Sequence, residues 1–376
     1  MPWQERSTMS LRHEFMQLAS QPGTNFSELC KRFGISRKTG YKWRQRYHER
    51  GLAGLQERSR RPQHTPHRSS ATIEQRVLAV RDQYGWGARK IKACLDQLKQ
   101  APLARSTIHA ILLRHNRVNT APSASRGAYQ RFAQARPNQL WQMDFKGHYP
   151  LGNRERCHPL TVLDDHSRYA LCLQACRNEQ TLTVQQHLIA TFRRYGLPER
   201  MLMDNGSPWG GTAEHGYTPL TVWLLRLGIA ISHSRPFHPQ TQGKEERFHR
   251  SLKVEVLAQR LYADFTSMQR RFDEWRYCYN HVRPHEALQL AVPASHYQAS
   301  TRSFPEQLPA FEYGSRDQVR KVQATGKISF AGRYFRVGRP FQGQPVAVRP
   351  TTSDGLYDVF FATHKIGTID LQQSRE

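Results

Sequence analysis

The sequence predicts a multidomain protein in which helical units precede a central α/β domain and a small β-rich domain follows it. Three observations support this fold class. Apolar residues recur at helical spacing in the N-terminal part, strand-like runs alternate with helices from Gln139 onward, and the last 60 residues alternate apolar and polar positions between glycine turns. We therefore expect domains at residues 1–60, 61–136, 137–300 and 301–376.

The charge of the chain is strongly basic and unevenly distributed. Its 376 residues include 56 lysines and arginines against 30 acidic residues, a net charge of +26. Residues 1–136 hold 26 of the basic and 8 of the acidic residues, so +18 of that charge lies there. Such an excess favours a polyanionic partner, because each phosphate contact releases condensed counterions. We therefore expect nucleic-acid binding.

Composition excludes two other classes of protein. The mean hydropathy is −0.73, and no run approaches the roughly 18 to 20 apolar residues of a membrane span. The first residues lack the apolar stretch of a secretory signal, so we expect a cytoplasmic protein. The six cysteines are scattered without a CxxC pair, which predicts reduced, mostly buried thiols rather than disulfides or a structural zinc site.

Residues 25–48 have the pattern of two helices joined by a tight turn. Asn25 and Ser36 can cap the two helices, and Gly34 can supply the positive φ of the turn. The second helix is basic, as in a helix-turn-helix whose second helix enters the major groove. A helical hairpin with a basic exposed face is the alternative. The DNA-binding residues that we predict on the second helix are Arg37, Lys38, Lys42 and Arg44.

A second group of helical segments follows a linker rich in Arg, Pro, Gly and Ser. Three segments have helical periodicity between residues 72 and 116, and the third has Ser106 as its expected N-cap. They resemble another three-helix DNA-binding unit, although a plain helical spacer fits the pattern nearly as well.

From Gln139 the predicted elements are strand, strand, strand, helix, strand, helix, strand, helix. The first three strands are short runs between turn signals, which predicts a meander. This is the element order of an RNase H-like α/β domain with a mixed five-stranded sheet. The C-terminal strands suggest a small antiparallel β-barrel.

Acidic residues occur where strands of the α/β domain lie or end. Asp144 is within the first strand, where an unpaired buried carboxylate is costly and a metal would offset that cost. Asp204 ends a short strand and precedes an Asn-Gly turn, at the edge where open α/β sheets bind ligands. Such carboxylates can hold the two divalent cations that phosphodiester chemistry uses. Asp164 and Asp165 also end a strand, and we interpret them as turn-formers.

Two adjacent glutamates, Glu245 and Glu246, compete to be a third ligand on the helix that follows. At 100° per residue, Glu246 shares a helix face with Arg250 and Lys253. Glu245 lies instead on the side of the apolar residues that must pack on the sheet. A carboxylate beside cations that could hold DNA phosphates is the better metal ligand, so we predict Glu246. We expect Glu245 to be a helix-start charge that interacts with the helix dipole.

Three blocks of the sequence together resemble the catalytic segments of DDE transposases and retroviral-type integrases. The blocks are WQMDFK, LMDNGSPW and HPQTQGKEERFHRSLK. LCKRFGISRKTGYKW is similar to the N-terminal helix-turn-helix of bacterial insertion-sequence transposases of the integrase-core group, and NHVRPHEAL to their post-catalytic signature. The likeness spans roughly residues 25–300.

This resemblance implies an RNase H-like core in which Asp144, Asp204 and Glu246 are the catalytic ligands of two Mg²⁺ ions, or of Mn²⁺ in their place. The implied reaction frees a 3′-hydroxyl at the element end by hydrolysis and joins it to target DNA by transesterification. The implied partners are double-stranded DNA, both terminal inverted repeats and target, and further copies of the chain in a synaptic complex. The resemblance also implies that Arg250 and Lys253 contact DNA. It places Asn205, His238 and Gln240 at the border of the active site.

Two features depart from the integrase pattern. Asp204 and Glu246 are separated by 41 residues, more than the pattern has, and a helix-turn-helix replaces the N-terminal zinc module of retroviral integrases.

Two other functions fit parts of the sequence. A domesticated regulator would bind DNA through the helix-turn-helix without cutting it, but it would gain nothing from buried like charges. An RNase H-like nuclease would cleave without joining and would not need two N-terminal DNA-binding units.

Overall fold

The structure, a computed structural model, describes residues 7–57, 68–99, 102–118, 133–210, 216–234, 243–308 and 310–372. Contacts divide the chain into two compact units, Met1–Ser69 and Ser70–Glu376. Within the described ranges, no helix is both long and apolar enough to cross a membrane.

The first unit contains the predicted helix-turn-helix. Asn25 caps its first helix by accepting hydrogen bonds from the Ser27 and Glu28 N–H groups, and Ser36 caps its second by accepting from Thr39. Gly34 turns the chain between them with a φ of +66°. The helices of this unit are α1 (Thr8–Ala19), α2 (Phe26–Arg32) and α3 (Arg37–Arg50), and a 3₁₀ turn follows at Gly51–Leu55.

Helix α1 was not predicted from the sequence, yet it supplies part of the core of the first unit. Its Phe15 and Met16 are buried against α2 and α3. Trp43 of α3 is also buried, at 5% exposure, whereas the neighbouring Tyr41 is half exposed. Four basic residues of α3 are exposed outside this core: Arg37, Lys38, Lys42 and Arg44.

The second unit begins with three helices, α4 (Ala71–Tyr84), α5 (Ala88–Gln97) and α6 (Arg105–Arg114). Their apolar core also contacts Cys278 and Val282 of the central domain. The prediction of Ser106 as an N-cap is wrong: Ala104 occupies that position and no side chain caps α6. Ser106 lies inside the first turn instead.

The central sheet is mixed, as predicted, but it has six strands among the described residues rather than the five predicted, because a short second strand is added. Strand β3 pairs with β1 and β4 in antiparallel orientation, and β5 pairs with β1 and β6 in parallel orientation. The short strand β2 also pairs with β3. The strands are β1 (Trp141–Phe145), β2 (Tyr149–Pro150), β3 (Arg156–Asp164), β4 (Ala170–Cys176), β5 (Arg200–Met203) and β6 (Ala230–His233).

Helices cover both faces of this sheet. One face packs on α7 (Thr181–Tyr195) and α8 (Pro219–Arg226). The other packs on α9 (Gly243–Leu252), which continues as a π-helical turn over Lys253–Leu257, and on α10 (Phe265–His281). Because side chains alternate along a strand, Trp141 and Met143 of β1 enter the first core, and Asp144 faces the α9 side.

The C-terminal strands form antiparallel structure, as predicted, but their described pairing does not close a barrel. Four strands pair in the order β12-β11-β10-β7, and β8 pairs with β9 as a separate hairpin. Val222 and Leu225 of α8 join their apolar core, so the sheet packs on the central domain. The strands are β7 (Gln318–Lys321), β8 (Lys327–Phe330), β9 (Arg333–Arg336), β10 (Pro345–Pro350), β11 (Leu356–Phe361) and β12 (His364–Asp370).

Candidate active site

Asp144 lies near the end of β1, in the middle of the central sheet. Its side chain is 25% exposed. Burial and the negative charge of Asp204 raise the pKa of Asp144 to about 7, partly opposed by the backbone N–H of Phe145. The two aspartates are thus close enough for the charge of Asp204 to disfavour the charged form of Asp144.

Asp204 follows β5 directly, and β5 is the parallel neighbour of β1. Parallel strands place their carboxyl ends at one edge of a sheet, which brings this residue beside Asp144. Its Oδ1 accepts hydrogen bonds from the Gly206 N–H, at 2.9 Å, and from the Trp209 indole. These donors hold the carboxylate in the turn after β5.

Trp209 is a residue of the site that sequence reasoning missed. It is buried at 2% exposure, and its ring stacks on Phe145 at 5.3 Å between centroids. Phe145 follows Asp144 in the chain, and the indole donates to Asp204. The stacked pair therefore contacts Asp204 through the Trp209 indole and packs next to Asp144 through Phe145.

The predicted border residues are only partly described. Asn205 is exposed, and its Nδ2 donates to the backbone oxygen of Ser234 at 3.0 Å, which links the turn to the end of β6. The Nδ1 atom of His233 lies 2.8 Å from the backbone oxygen of Asp204. His238 and Gln240 fall outside the described residues.

Glu245 lies on the sheet-facing side of α9, as the helical geometry predicted, and it reaches the site there. Its Oε2 is 3.2 Å from the Thr161 hydroxyl and 3.6 Å from Nε2 of His249. Thr161 is the register partner of Asp144 and donates to its backbone oxygen. His249 Nδ1 lies 3.7 Å from Asp144 Oδ2. Glu245 is therefore part of a buried polar cluster beneath Asp144.

The expectation that Glu245 is a helix-start charge needs correction. The residue is completely buried, and burial together with the charge of Asp144 raises its pKa well above the usual value. Burial also lowers the pKa of His249 to about 3, so the imidazole beside it is neutral and offers no countercharge. Glu245 is thus a buried carboxyl whose charged form is disfavoured, rather than a surface charge at the helix N-terminus.

Glu246, the predicted third ligand, is the next residue on α9 and is exposed. In the part of the chain that the structure describes, no three His, Cys, Asp or Glu side chains stand close enough together to hold a metal ion. The structure therefore brings Asp144 and Asp204 together and places Glu246 on the solvent side of the adjoining helix. Its role as a ligand stays a prediction.

Asp164 and Asp165 differ, although both were interpreted as turn-formers. Asp164 forms the turn after β3, where its carboxylate accepts from the N–H groups of Asn138 and Ser167 at 2.8 Å each. Asp165 is instead a buried ion-pair partner of Lys244, the residue that precedes Glu245. Its Oδ1 also accepts from Gln142 of β1, at 2.7 Å. Through these contacts Asp165 holds the start of α9 near β1 and the end of β3.

The residues predicted to bind DNA are exposed in both units. Arg250 and Lys253 extend from α9 and the turn that continues it, and neither forms an ion pair within the described residues. The four predicted residues of α3 are likewise exposed: Arg37, Lys38, Lys42 and Arg44. Exposed cationic groups thus lie on the helix that carries Glu246, on the turn that continues it, and on the helix-turn-helix.

Known protein families match this arrangement along most of the chain. An integrase core domain matches residues 134–239, and a second integrase core family matches residues 227–293. A helix-turn-helix domain matches residues 12–63, and a homeodomain-like domain matches residues 39–112. The class is therefore that of integrase-core proteins with N-terminal helix-turn-helix domains.

The C-terminal strands narrow the class. The C-terminal domain of the IS481 transposase family matches residues 317–376. The chain is also 26% identical over 176 residues to an uncharacterized 31.7 kDa protein of insertion element IS407 from Burkholderia multivorans, spanning 47% of this chain and 61% of that protein. The chain thus combines matches to an integrase core and to an IS481-type transposase C-terminal domain, and it is similar to insertion-element proteins.

Other relatives are similar over smaller shares of their length. An uncharacterized 39.2 kDa protein of insertion element IS476 from Xanthomonas euvesicatoria is 27% identical over 43% of this chain and 45% of its own length. The Gag-Pro-Pol polyprotein of Mason-Pfizer monkey virus is 34% identical over 32% of this chain and 6% of the polyprotein. The chain thus spans less than two thirds of each of these relatives.

Among solved structures, a simian T-cell lymphotropic virus intasome bound to the PP2A regulatory subunit B56 gamma is similar over 76% of this chain and 96% of the matched chain. The identity is 16% and the TM-score 0.38. The HTLV-2 integrase catalytic core in complex with magnesium is similar over 44% of this chain and 99% of that chain, at 12% identity and a TM-score of 0.32.

Proposed function

We propose that this protein is a DNA transposase that binds element ends, hydrolyses a phosphodiester bond there to free a 3′-hydroxyl, and joins that hydroxyl to target DNA. The observation that supports it most is the pair of aspartates at the centre of the sheet. Asp144 and Asp204 come from neighbouring parallel strands and oppose each other's charge. A fold gains no stability from such a pair, so it points to a positively charged ligand.

The residues fit divalent metal ions. Carboxylate oxygens are the ligands that Mg²⁺ prefers, and Mn²⁺ accepts the same donors. Asp144 and Asp204 would hold the metal, and Glu246 would complete the set. When bound, two such ions would increase the nucleophilicity of water or a hydroxyl and stabilise the charge of the reacting phosphate.

The chain's own residues would position the site and the DNA. The Gly206 N–H and the Trp209 indole fix the orientation of Asp204, and the packing of Phe145 on Trp209 extends that support to Asp144. Arg250 and Lys253 are exposed on the same helix as Glu246, where they can bind phosphates of the element end. This arrangement supports both proposed reactions.

Each step exchanges one phosphorus–oxygen bond for another. In the first, water attacks the phosphorus at the element end and the bond to the 3′-oxygen breaks, which leaves a 3′-hydroxyl and a 5′-phosphate. In the second, that 3′-oxygen attacks a phosphorus of target DNA and displaces the target's own 3′-oxygen. The bond energy is conserved in the second step, so no external energy source is needed.

The test measures cleavage and joining of a labelled duplex that carries the element end, with Mg²⁺. We expect Asp204→Asn and Glu246→Gln each to abolish both reactions while DNA binding is retained. Glu245→Gln is the matched control, because it makes the same substitution at the adjacent, buried position of the helix, and we expect it to remain active. Asp354→Asn, on an exposed C-terminal turn, controls for the loss of an aspartate.

Three outcomes would contradict parts of the proposal. Binding without any cleavage by the wild-type protein would favour a non-cleaving helix-turn-helix regulator. Cleavage without joining would favour a nuclease. Loss of activity in Glu245→Gln but not in Glu246→Gln would move the third ligand to the buried residue.

A further inference from the structure

A cleft of about 580 Å³ lies between the second helical unit and the central domain. Helix α5 contributes Arg89 and Lys90 to its lining, and α6 contributes Arg105 and His109. Glu286, which follows α10, is the carboxylate among the lining residues. The cleft is thus lined mainly by cationic groups from two helices, and it belongs to neither the paired aspartates nor the helix-turn-helix.

The cations of this cleft are not paired with acidic residues. Within the described residues, Arg89, Lys90 and Arg105 form no ion pair, whereas other cations of the same helical unit do. Arg117 pairs with Asp82 at 2.8 Å, and Lys92 of α5 pairs with Asp96 at 2.9 Å. The unit therefore has ion-pair partners for cations elsewhere on its surface, whereas Glu255 and Glu286 act on Lys90 without forming an ion pair with it in the described residues.

Both helices begin at the cleft without a side-chain cap. Gly87 precedes α5 and Ala104 precedes α6, and neither can accept a hydrogen bond from the first N–H groups of its helix through a side chain. Uncapped N–H groups and the positive end of the helix dipole favour an anion, and here they add to the cationic side chains.

We propose that this cleft binds backbone phosphates of duplex DNA, with Lys90 and Arg105 as the main contacts and Arg89 and His109 beside them. The proposal rests on the function proposed above, since it assigns a second contact for the element end. Phosphate is the chemistry that matches several unpaired cations and two helix N-termini.

The surroundings of Lys90 support this assignment. Burial and the charge of Arg283 lower the pKa of Lys90 to about 8, and Arg247 of α9 acts in the same direction. A phosphate would offset that repulsion. Arg247 follows Glu246 in the chain, so DNA held in this cleft would pass close to the helix that carries the predicted third ligand.

The experiment measures the affinity of the full-length protein for a labelled duplex over a range of salt concentrations. Each lost phosphate contact lowers the slope of log affinity against log salt by about 1. We expect Lys90→Gln and Arg105→Ala each to show that change and a several-fold weaker affinity at low salt. Lys92→Ala is the matched control on α5, because its ammonium is already paired. Glu286→Gln should strengthen binding.

Thermal unfolding of each variant verifies that it is folded. An unchanged slope in folded Lys90→Gln and Arg105→Ala would overturn the proposal, as would an equal loss in Lys92→Ala. If inorganic phosphate binds the cleft of the wild-type protein while duplex DNA binds the cleft variants and the wild-type protein equally well, the cleft is a free-phosphate site instead. Wild-type protein that cleaves and joins while the slopes stay unchanged contradicts this cleft alone. Reduced slopes without any joining contradict only the proposed function.

Discussion

The charge of Asp144 opposes folding whenever no metal is bound. Burial and Asp204 raise its pKa from 3.8 to about 7. A carboxyl with a raised folded pKa contributes most to stability where it is protonated in both states, below its unfolded pKa. That contribution is lost as the pH rises from about 4 to about 7, because the unfolded chain ionises first. The metal-free protein is therefore destabilised at neutral pH by one of its own site residues.

Asp144→Asn should stabilise the metal-free protein at about pH 7.5, by roughly 1 to 3 kcal/mol. The substitution removes the charge but keeps the shape, and the gain should be smaller at about pH 5, where the native carboxyl is already protonated. Urea unfolding with a chelator at both pH values measures the effect. Mg²⁺ should then stabilise the wild-type protein and not the variant.

Asp354→Asn is the control for this stability measurement, because Asp354 is exposed on a C-terminal turn. We expect that variant to unfold like the wild-type protein at both pH values. A destabilised Asp144→Asn, or a gain that does not grow with pH, would show that the two aspartates do not oppose each other as their positions indicate.

The two adjacent glutamates show what a helical wheel can and cannot predict. It placed Glu245 toward the sheet and Glu246 away from it, and the structure agrees on both. It could not show that Asp144 points toward the same face of the sheet that α9 covers. The buried contact between Glu245 and the cluster beneath Asp144 depends on strand register and helix placement, which are long-range features. The contacts of Trp209 with Asp204 and Phe145 likewise depend on how distant parts of the chain pack together, so the sequence pattern could not show them.

At the scale of elements, the position of α9 depends on the buried ion pair between Asp165 and Lys244. The side chain of Asp165 is fully buried and that of Lys244 is 15% exposed. Gln142 and the backbone N–H of Gln134 also donate to Asp165. Since these donors come from β1 and from the segment before it, the pair fixes the N-terminus of α9 relative to the sheet.

Asp165→Asn should destabilise the protein by about 2 to 4 kcal/mol, because it leaves the ammonium of Lys244 buried without its countercharge. Lys244→Met should also destabilise it, and the double variant should lose less than the sum of the two. Urea unfolding of the four proteins gives the coupling energy.

Arg193→Met provides the matched control for this cycle. Arg193 pairs with Glu306, but both side chains are more than half exposed, so we expect a change below about 1 kcal/mol. Additive effects of the Asp165 and Lys244 substitutions would mean that the pair does not hold the start of α9.

Elements with a strong periodic pattern were predictable from the sequence, and those that depend on tertiary contacts were not. The strands of the central sheet and the caps at Asn25 and Ser36 follow from local pattern. Helix α1 was missed, although Ser7 caps it and its Phe15 and Met16 pack in the core of the first unit. The C-terminal strands were predicted correctly as antiparallel, but alternation does not specify which edges pair, so the sequence could not show the four-stranded sheet and separate hairpin of the described residues.

At the scale of the whole molecule, the chain consists of two compact units of unequal size. The first has its own apolar core, and its α3 carries the predicted major-groove contacts. Units with separate cores can lose structure separately, so a substitution in the first core should affect DNA recognition without affecting the aspartate pair.

Gly54→Ala tests this separation. A Cβ atom at Gly54 would lie 2.0 Å from the backbone oxygen of Arg46, so α3 and the turn after it cannot both keep their places. We expect the first unit to lose about 3 kcal/mol or more of stability, while the second unit unfolds as in the wild-type protein. Gly367→Ala, with open space around its Cβ, is the control. Calorimetry should show one transition lowered, and Mg²⁺ should still stabilise the other. DNA-binding measurements should show that Gly54→Ala loses the preference for the element end over random duplex, whereas Gly367→Ala keeps it. If both calorimetric transitions fall together in Gly54→Ala, the two units unfold as one.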